Sequence, residues 1–76
     1  MRISPGEPNY IVNKNAQPNG DHEVHRTDTC IRLPEPWNRD PLGMHAACAS
    51  AVAAAKAKGY RTANGCYYCS SDCHTT

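Results

Sequence analysis

The chain has 76 residues, of which eight are basic and seven acidic, so its formal net charge is +1. Proteins that bind along a phosphate backbone usually carry a clear excess of basic residues, and this chain does not. No apolar run approaches the roughly 18 residues that a membrane helix needs, and no hydrophobic signal segment follows Met1. We therefore expect a cytoplasmic protein without membrane contact, whose partner is a protein rather than a nucleic acid.

The hydrophobic core is expected to be small. The sequence contains no Phe, one Trp and two Met, and alanine supplies much of its 39% apolar content. A domain of this size buries only about 60% of the surface that its unfolded chain exposes, so it usually needs a metal, disulfides or a partner subunit. The five cysteines are an odd number, and in a reducing cytoplasm their spacing indicates metal or redox chemistry before disulfides.

Two regions are expected along the chain. Residues 1–9 hold two prolines and one glycine without an apolar pattern, which predicts a flexible tail. Residues 10–76 are predicted to be a single small domain rich in Cys and His.

The domain is predicted to begin with a β-hairpin. Tyr10–Val12 and His22–Arg26 carry strand-forming residues on either side of the turn dipeptide Asn19-Gly20. In the second strand, Val24 is expected on one face of the sheet, with Glu23 and His25 on the other.

A loop is predicted over residues 27–41, because each of its three prolines removes a backbone donor and disfavours helix in the residue before it. Its apolar side chains are expected to pack beneath the loop as core: Ile31, Leu33 and Trp37.

An alanine-rich helix is predicted from about Leu42 to Lys58, with Asp40-Pro41 at its start and Gly59 at its end. Cys48 is expected to be a small hydrophobe on its apolar face, with a disulfide or ligand role as the alternative. Each residue of this apolar face lies three or four positions from another, as expected for one side of a helix: Met44, Cys48, Ala51, Val52 and Ala55.

The last part of the chain carries most of the thiols. Residues 59–63 are predicted to be a short strand, and Asn64-Gly65 a turn that leads into the cysteine cluster. The fold class expected from these elements is α+β: a small metal-stapled domain with a hairpin, one Ala-rich helix and a Cys-rich C-terminal turn.

Two pairs of side chains have the spacing of zinc half-sites. Cys66-x2-Cys69 lets two sulfurs point at one ion, and His25-x4-Cys30 leaves the second predicted strand and enters the loop. The preferred ligand set is therefore His25, Cys30, Cys66 and Cys69, with the two half-sites on either side of the helix.

Other ligand sets stay open, because Cys73 and His74 follow closely. Cys73 can replace His25, and a site built only from Cys66, Cys69, Cys73 and His74 is possible in principle, although adjacent residues rarely reach the same ion. A metal-free chain is also possible, either as a thiol redox protein that uses Cys66 and Cys69 or as a disulfide-stapled domain.

The order of these motifs resembles the small zinc-binding module at the N-terminus of the Ada DNA-repair methyltransferase, and related short Cys/His proteins of bacteria and phages. The matching residues lie within positions 22–69: Val24-His25, Cys30, Ala53-Ala54-Ala55, Gly59-Tyr60-Arg61, Cys66 and Cys69. The resemblance implies zinc as the cofactor. The spacing of His25 and Cys30 is one residue longer than in that family, and Thr62–Gly65 lengthens the link to Cys66.

The sequence therefore favours a zinc-stabilised binding or structural module over an enzyme. Spacing supports no Ser/His/Asp triad, and the chain lacks paired carboxylates and a phosphate-binding glycine loop.

Overall fold

The computed structural model describes residues 8–75, in which one α-helix packs on one face of a four-stranded sheet. The predicted α+β class is thus confirmed. The strands are β1 (Asn9–Asn13), β2 (His22–Arg26), β3 (Arg39–Met44) and β4 (Ala63–Gly65), the helix is α1 (Cys48–Ala57), and 3-10 turns cover Pro36–Asn38 and Ser71–Cys73.

The sheet has the strand order β3-β1-β2-β4. The predicted hairpin is confirmed, because β1 and β2 pair antiparallel with Val12 opposite Val24. β4 pairs with β2 in parallel, and this places Gly65 beside Val24. The carboxyl ends of β2 and β4 therefore meet at one edge of the sheet.

The core lies between the sheet and α1. Tyr10, Val12 and Val24 from the sheet pack with Ala51 and Ala55 from the helix. The two valines are fully buried, and each contributes about 1.5–3 kcal/mol on transfer from water. The small alanine side chains let the helix backbone approach the sheet closely.

The predicted helix is right in type but begins too early. Helix α1 starts at Cys48, whereas residues 39–44 form β3 and pair antiparallel with β1. Pro41 is tolerated in β3 because this strand lies at the edge of the sheet, where a missing backbone donor need not break a ladder bond. Asp40-Pro41 is therefore part of a strand and does not cap the helix, and Met44 is 53% exposed.

The predicted C-terminus of the helix is close to the observed one. The backbone N–H groups of Lys58 and Gly59 donate to carbonyls of the last turn. Gly59 then turns the chain with a φ of +113°, a left-handed conformation that favours glycine.

The expected core of the loop is wrong at two positions. Ile31 is 80% exposed and Trp37 is 72% exposed, and only Leu33 is half-buried. The buried core is built from the sheet and α1 instead, and neither side chain belongs to it.

The predicted turn at Asn64-Gly65 is also wrong, because both residues belong to β4. Gly65 is needed for space: a Cβ atom there would lie 2.5 Å from the carbonyl oxygen of Ser70 and 2.7 Å from Cβ of Cys73. The glycine thus allows the C-terminal turns to fold back against β4.

Residues 1–7, which hold most of the predicted tail, lie outside the described residues, and β1 already begins at Asn9. Across residues 8–75, we find no helix with the length and apolar character required to cross a membrane.

Candidate metal centre

The first half of the site is at the end of β2. Val24 points into the core against α1, and strand alternation sends its neighbour His25 to the opposite face, where it is only 1% exposed. A turn follows, closed by the Cys30 N–H, which donates to the carbonyl of Arg26 at 3.1 Å. This turn brings the Cys30 sulfur back beside the His25 ring.

The second half of the site is at the end of β4. The Cys66 N–H donates to the Val24 carbonyl at 2.9 Å, which continues the parallel pairing by one residue. The Ser70 N–H then donates to the Cys66 carbonyl at 2.8 Å and closes a turn that contains Cys69. Cys66 is completely buried, and Cys69 is half-buried.

The four predicted ligands come together in one cluster. Their ligand atoms all lie within 4.8 Å of one another. Nδ1 of His25 is 3.3 Å from Sγ of Cys30 and 3.9 Å from Sγ of Cys69. The sulfurs of Cys30 and Cys66 are 3.8 Å apart. The residues chosen from spacing could therefore hold a metal ion.

Backbone amides surround the three sulfurs. Sγ of Cys30 accepts the N–H of Arg32 at 3.4 Å, and Sγ of Cys66 accepts the N–H of Tyr68 at 3.4 Å. Sγ of Cys69 accepts the N–H of Arg26 at 3.3 Å. Each of these bonds favours the thiolate over the thiol, and the thiolate is the form that binds metals.

Without a cation, burial favours the uncharged forms of the three thiols and the imidazole. Burial raises the pKa of the Cys30, Cys66 and Cys69 thiols, although the backbone N–H groups act in the opposite direction. Burial, aided by the nearby Arg39 guanidinium, lowers the pKa of His25 from 6.5 to about 4. The imidazole is consequently neutral near pH 7, as a metal ligand must be.

The other nitrogen of His25 is unusual. Nε2 is buried, and it is the one buried side-chain nitrogen or oxygen among the described residues that has no hydrogen-bond partner. Oε1 of Glu23, two residues earlier on β2, lies 3.6 Å away. As predicted, Glu23 and His25 share one face of the strand.

Cys48 and Cys73 are outside the cluster because they form a disulfide. The expected role of Cys48 as a free small hydrophobe is therefore wrong, and the alternative, a disulfide role for Cys48, is the one found. The bond fastens the start of α1 to the 3-10 turn at Ser71–Cys73. It stabilises the fold, and three cysteines remain as free thiols: Cys30, Cys66 and Cys69.

His74, the other alternate ligand, also lies elsewhere. Its Nδ1 is 3.0 Å from the Gly65 carbonyl oxygen, and its ring packs edge-on against Tyr67. It supports the turn that carries Cys66 and Cys69.

The sequence predicted that the two half-sites would lie on either side of the helix, and this prediction is wrong. They meet directly because β2 and β4 are parallel neighbours in the sheet. The disulfide, and not the ligand cluster, ties the helix down.

The turns that carry the ligands expose large side chains. Tyr67 is 62% exposed and Tyr68 is 55% exposed, and both follow Cys66. The Arg32 guanidinium lies 4.5 Å above the Tyr68 ring and so links the two ligand turns. The surface formed by Ile31, Arg32, Tyr67 and Tyr68 is called the knuckle surface below.

Comparison of the chain with family models, curated proteins and solved structures found no match. The resemblance to the Ada zinc module therefore stays a prediction.

Sequence reasoning missed two features of this region. The pairing of Cys48 with Cys73 depends on how α1 packs, and no spacing rule reports it. The second missed feature is the closeness of the Glu23 carboxylate to Nε2 of His25. The sequence does carry a signal for it, because a residue two positions before a candidate ligand on a strand lies on the same face as that ligand.

Proposed function

We propose that this chain is a zinc-stabilised module that binds another protein. The proposal depends chiefly on the juxtaposition of one imidazole and three thiols, with ligand atoms within 4.8 Å of one another, at the shared edge of β2 and β4. The proposed zinc ligands are Nδ1 of His25 and the sulfurs of Cys30, Cys66 and Cys69.

The distances support a tetrahedral ion. With bonds of about 2.3 Å to sulfur and about 2.0 Å to nitrogen, a tetrahedron separates sulfur pairs by about 3.8 Å and sulfur–nitrogen pairs by about 3.5 Å. Cys30 and Cys66 have a sulfur–sulfur distance of 3.8 Å. His25 Nδ1 has sulfur distances of 3.3 Å to Cys30 and 3.9 Å to Cys69, which bracket the expected value.

The donor set favours zinc among the common metals. Calcium and magnesium prefer oxygen ligands in larger numbers, whereas three thiolates and one imidazole suit a borderline-soft tetrahedral ion. Four protein ligands close the coordination shell, as in structural zinc sites, and leave no position for a reacting water. This chemistry favours a stabilising role over a catalytic one.

A thiol redox role for Cys66 and Cys69 has less support. Reactive cysteines have a depressed pKa, whereas burial raises the pKa of both thiols here. A bound divalent cation reverses this penalty, because it deprotonates a coordinating thiol.

A binding role is supported by the knuckle surface. A chain with few large apolar residues would gain stability by burying Ile31 and Tyr68, yet both remain exposed on the ligand turns. Exposed aromatic residues together with arginine are enriched in protein interfaces. The near-neutral formal charge of +1 also suits a protein partner better than a phosphate backbone.

Metal content is the first test. We expect about one zinc per chain by native mass spectrometry, and a clearly lower urea unfolding midpoint when a strong chelator removes it, with the metal-free fold still held by the disulfide. The matched comparison is Cys30→Ala, which removes one ligand, against the paired change Cys48→Ala and Cys73→Ala, which removes only the disulfide. The ligand variant should lose zinc and the disulfide variant should keep it. A wild-type chain that folds fully and takes up no zinc would refute the proposal.

Partner binding is the second test. Tyr67→Ser and Tyr68→Ser together should abolish capture of a partner from cell extract without changing zinc content, while Trp37→Ser serves as an exposed aromatic control outside the knuckle surface. Loss of capture after nuclease treatment would indicate nucleic acid instead of protein and would contradict this part of the proposal.

A further inference from the structure

The unpartnered Nε2 atom of His25 is the starting observation. A buried donor or acceptor without a partner is destabilising, because it has given up its hydrogen bonds to water without replacement. His25 is 1% exposed and no hydrogen bond satisfies Nε2. We therefore looked for a group near Nε2 that can form a hydrogen bond with it.

The ring can exist in two neutral tautomers, and only one of them can bind the metal. If Nδ1 carries the proton, it can donate to Sγ of Cys30 at 3.3 Å, but its lone pair is then unavailable. If Nε2 carries the proton, Nδ1 presents a lone pair to the three sulfurs. This second form leaves a buried N–H at Nε2 that needs an acceptor.

Glu23 is placed to be that acceptor. Its Oε1 lies 3.6 Å from Nε2, about 0.4 Å beyond the usual range of N–H···O hydrogen bonds, and its side chain is only 19% exposed. The other charged group that acts on the ring, Arg39, carries only donors, and its Nε already donates to the Pro34 carbonyl at 2.7 Å. The carboxylate of Glu23 is thus the acceptor that β2 itself provides.

We propose that Glu23 is a positioning residue of the metal centre: its carboxylate accepts the Nε2–H of His25 and holds the imidazole in the tautomer whose Nδ1 faces the three sulfurs. A carboxylate that orients a ligating histidine also raises the basicity of the ligand, and loss of such a partner typically costs about 10–100-fold in metal affinity. This inference rests on the proposed zinc site.

The experiment compares zinc affinity and the His25 tautomer in matched variants. Zinc dissociation constants are measured by competition with a chromophoric chelator, and tautomers by long-range proton–nitrogen NMR of the 15N-labelled chain. Glu23→Ala should weaken zinc binding by about 10–100-fold and populate the Nδ1–H tautomer of the metal-free protein. Glu23→Gln retains an oxygen acceptor and should recover most of the affinity and the Nε2–H tautomer.

The control is Glu35→Ala, which removes an equal charge from an exposed position. It should bind zinc as the wild type does. A general structural or electrostatic effect of Glu23 would change affinity without changing the tautomer, and that result would overturn the inference. An unchanged affinity in Glu23→Ala, or a glutamine variant that behaves like the alanine variant, would overturn it as well.

The two proposals fail in different ways. If the wild-type chain binds no zinc, the proposed function is wrong. If the wild type and Glu23→Ala bind zinc equally well, the zinc site stands and only the role of Glu23 is wrong.

Discussion

Removal of the Cys48–Cys73 disulfide tests whether this domain has two independent staples. The bond joins residues 25 positions apart. In the chain-entropy description, closing a loop of about 25 residues stabilises the folded state by about 3.5 kcal/mol, because it restricts the unfolded chain. A domain of this length is typically stable by about 4–11 kcal/mol, so the loss is a large fraction of the total.

The paired variant Cys48→Ala and Cys73→Ala avoids leaving an unpaired thiol. Urea unfolding should be followed at fixed excess zinc, because bound ligand adds to the apparent stability. With a urea slope of about 1 kcal/mol/M for a small domain, the midpoint should fall by about 3.5 M. Neither sulfur belongs to the ligand cluster, so the zinc dissociation constant should change by no more than a few fold.

Two results would refute this reasoning. A stability change below about 1 kcal/mol would show that the ordering of α1 does not depend on the bond. A loss of zinc affinity of tenfold or more would show that the disulfide and the metal centre act as one unit. Cys30→Ala is the converse control, since it should lose zinc and keep the disulfide.

Three further predictions concern the remaining thiols, the close packing at β4 and the titration of the buried imidazole. After denaturation and removal of metal without reduction, a thiol count should give three free thiols (Cys30, Cys66 and Cys69), and a count of five or one would contradict the pairing found here. Gly65→Ala should destabilise the domain by about 1–3 kcal/mol in urea unfolding, because the added Cβ would overlap atoms of Ser70 and Cys73. An unchanged urea midpoint would show that the C-terminal turns are not packed against β4. Because burial lowers the pKa of His25 from 6.5 to about 4, the unfolded chain takes up a proton at a higher pH than the folded chain. The metal-free protein should therefore lose stability as the pH falls from about 6.5 to about 4, by roughly 3 kcal/mol in total, and His25→Gln should abolish this part of the pH dependence.

Local patterns predicted several elements well. Strand-forming residues around Asn19-Gly20 predicted the hairpin, and helical spacing predicted that Ala51 and Ala55 face the core. These predictions succeed because each depends on residues close together in the chain. The prediction was wrong at residues 39–44, which were expected to form a loop and the start of the helix. They form an edge strand that pairs with the distant β1, and such a strand tolerates a proline and a glycine.

The candidate metal site was predictable in its membership but not in its construction. Spacing selected His25, Cys30, Cys66 and Cys69, because two half-sites are visible as local motifs. The reason they meet is the parallel pairing of β2 and β4. That pairing was not predicted, because Asn64-Gly65 has the composition of a turn.

The sequence by itself determined the two half-site spacings, His25-x4-Cys30 and Cys66-x2-Cys69, and predicted that so small an apolar content needs a staple, since both follow from residue type and local spacing. The tertiary structure decided the rest: Cys48 pairs with Cys73, the Cys30 and Cys66 sulfurs stand 3.8 Å apart, and Nε2 of His25 faces Glu23. These are contacts between segments far apart in the chain, or side-chain orientations that the packed sheet imposes. They depend on the summed packing of the whole domain, and a local pattern cannot specify them.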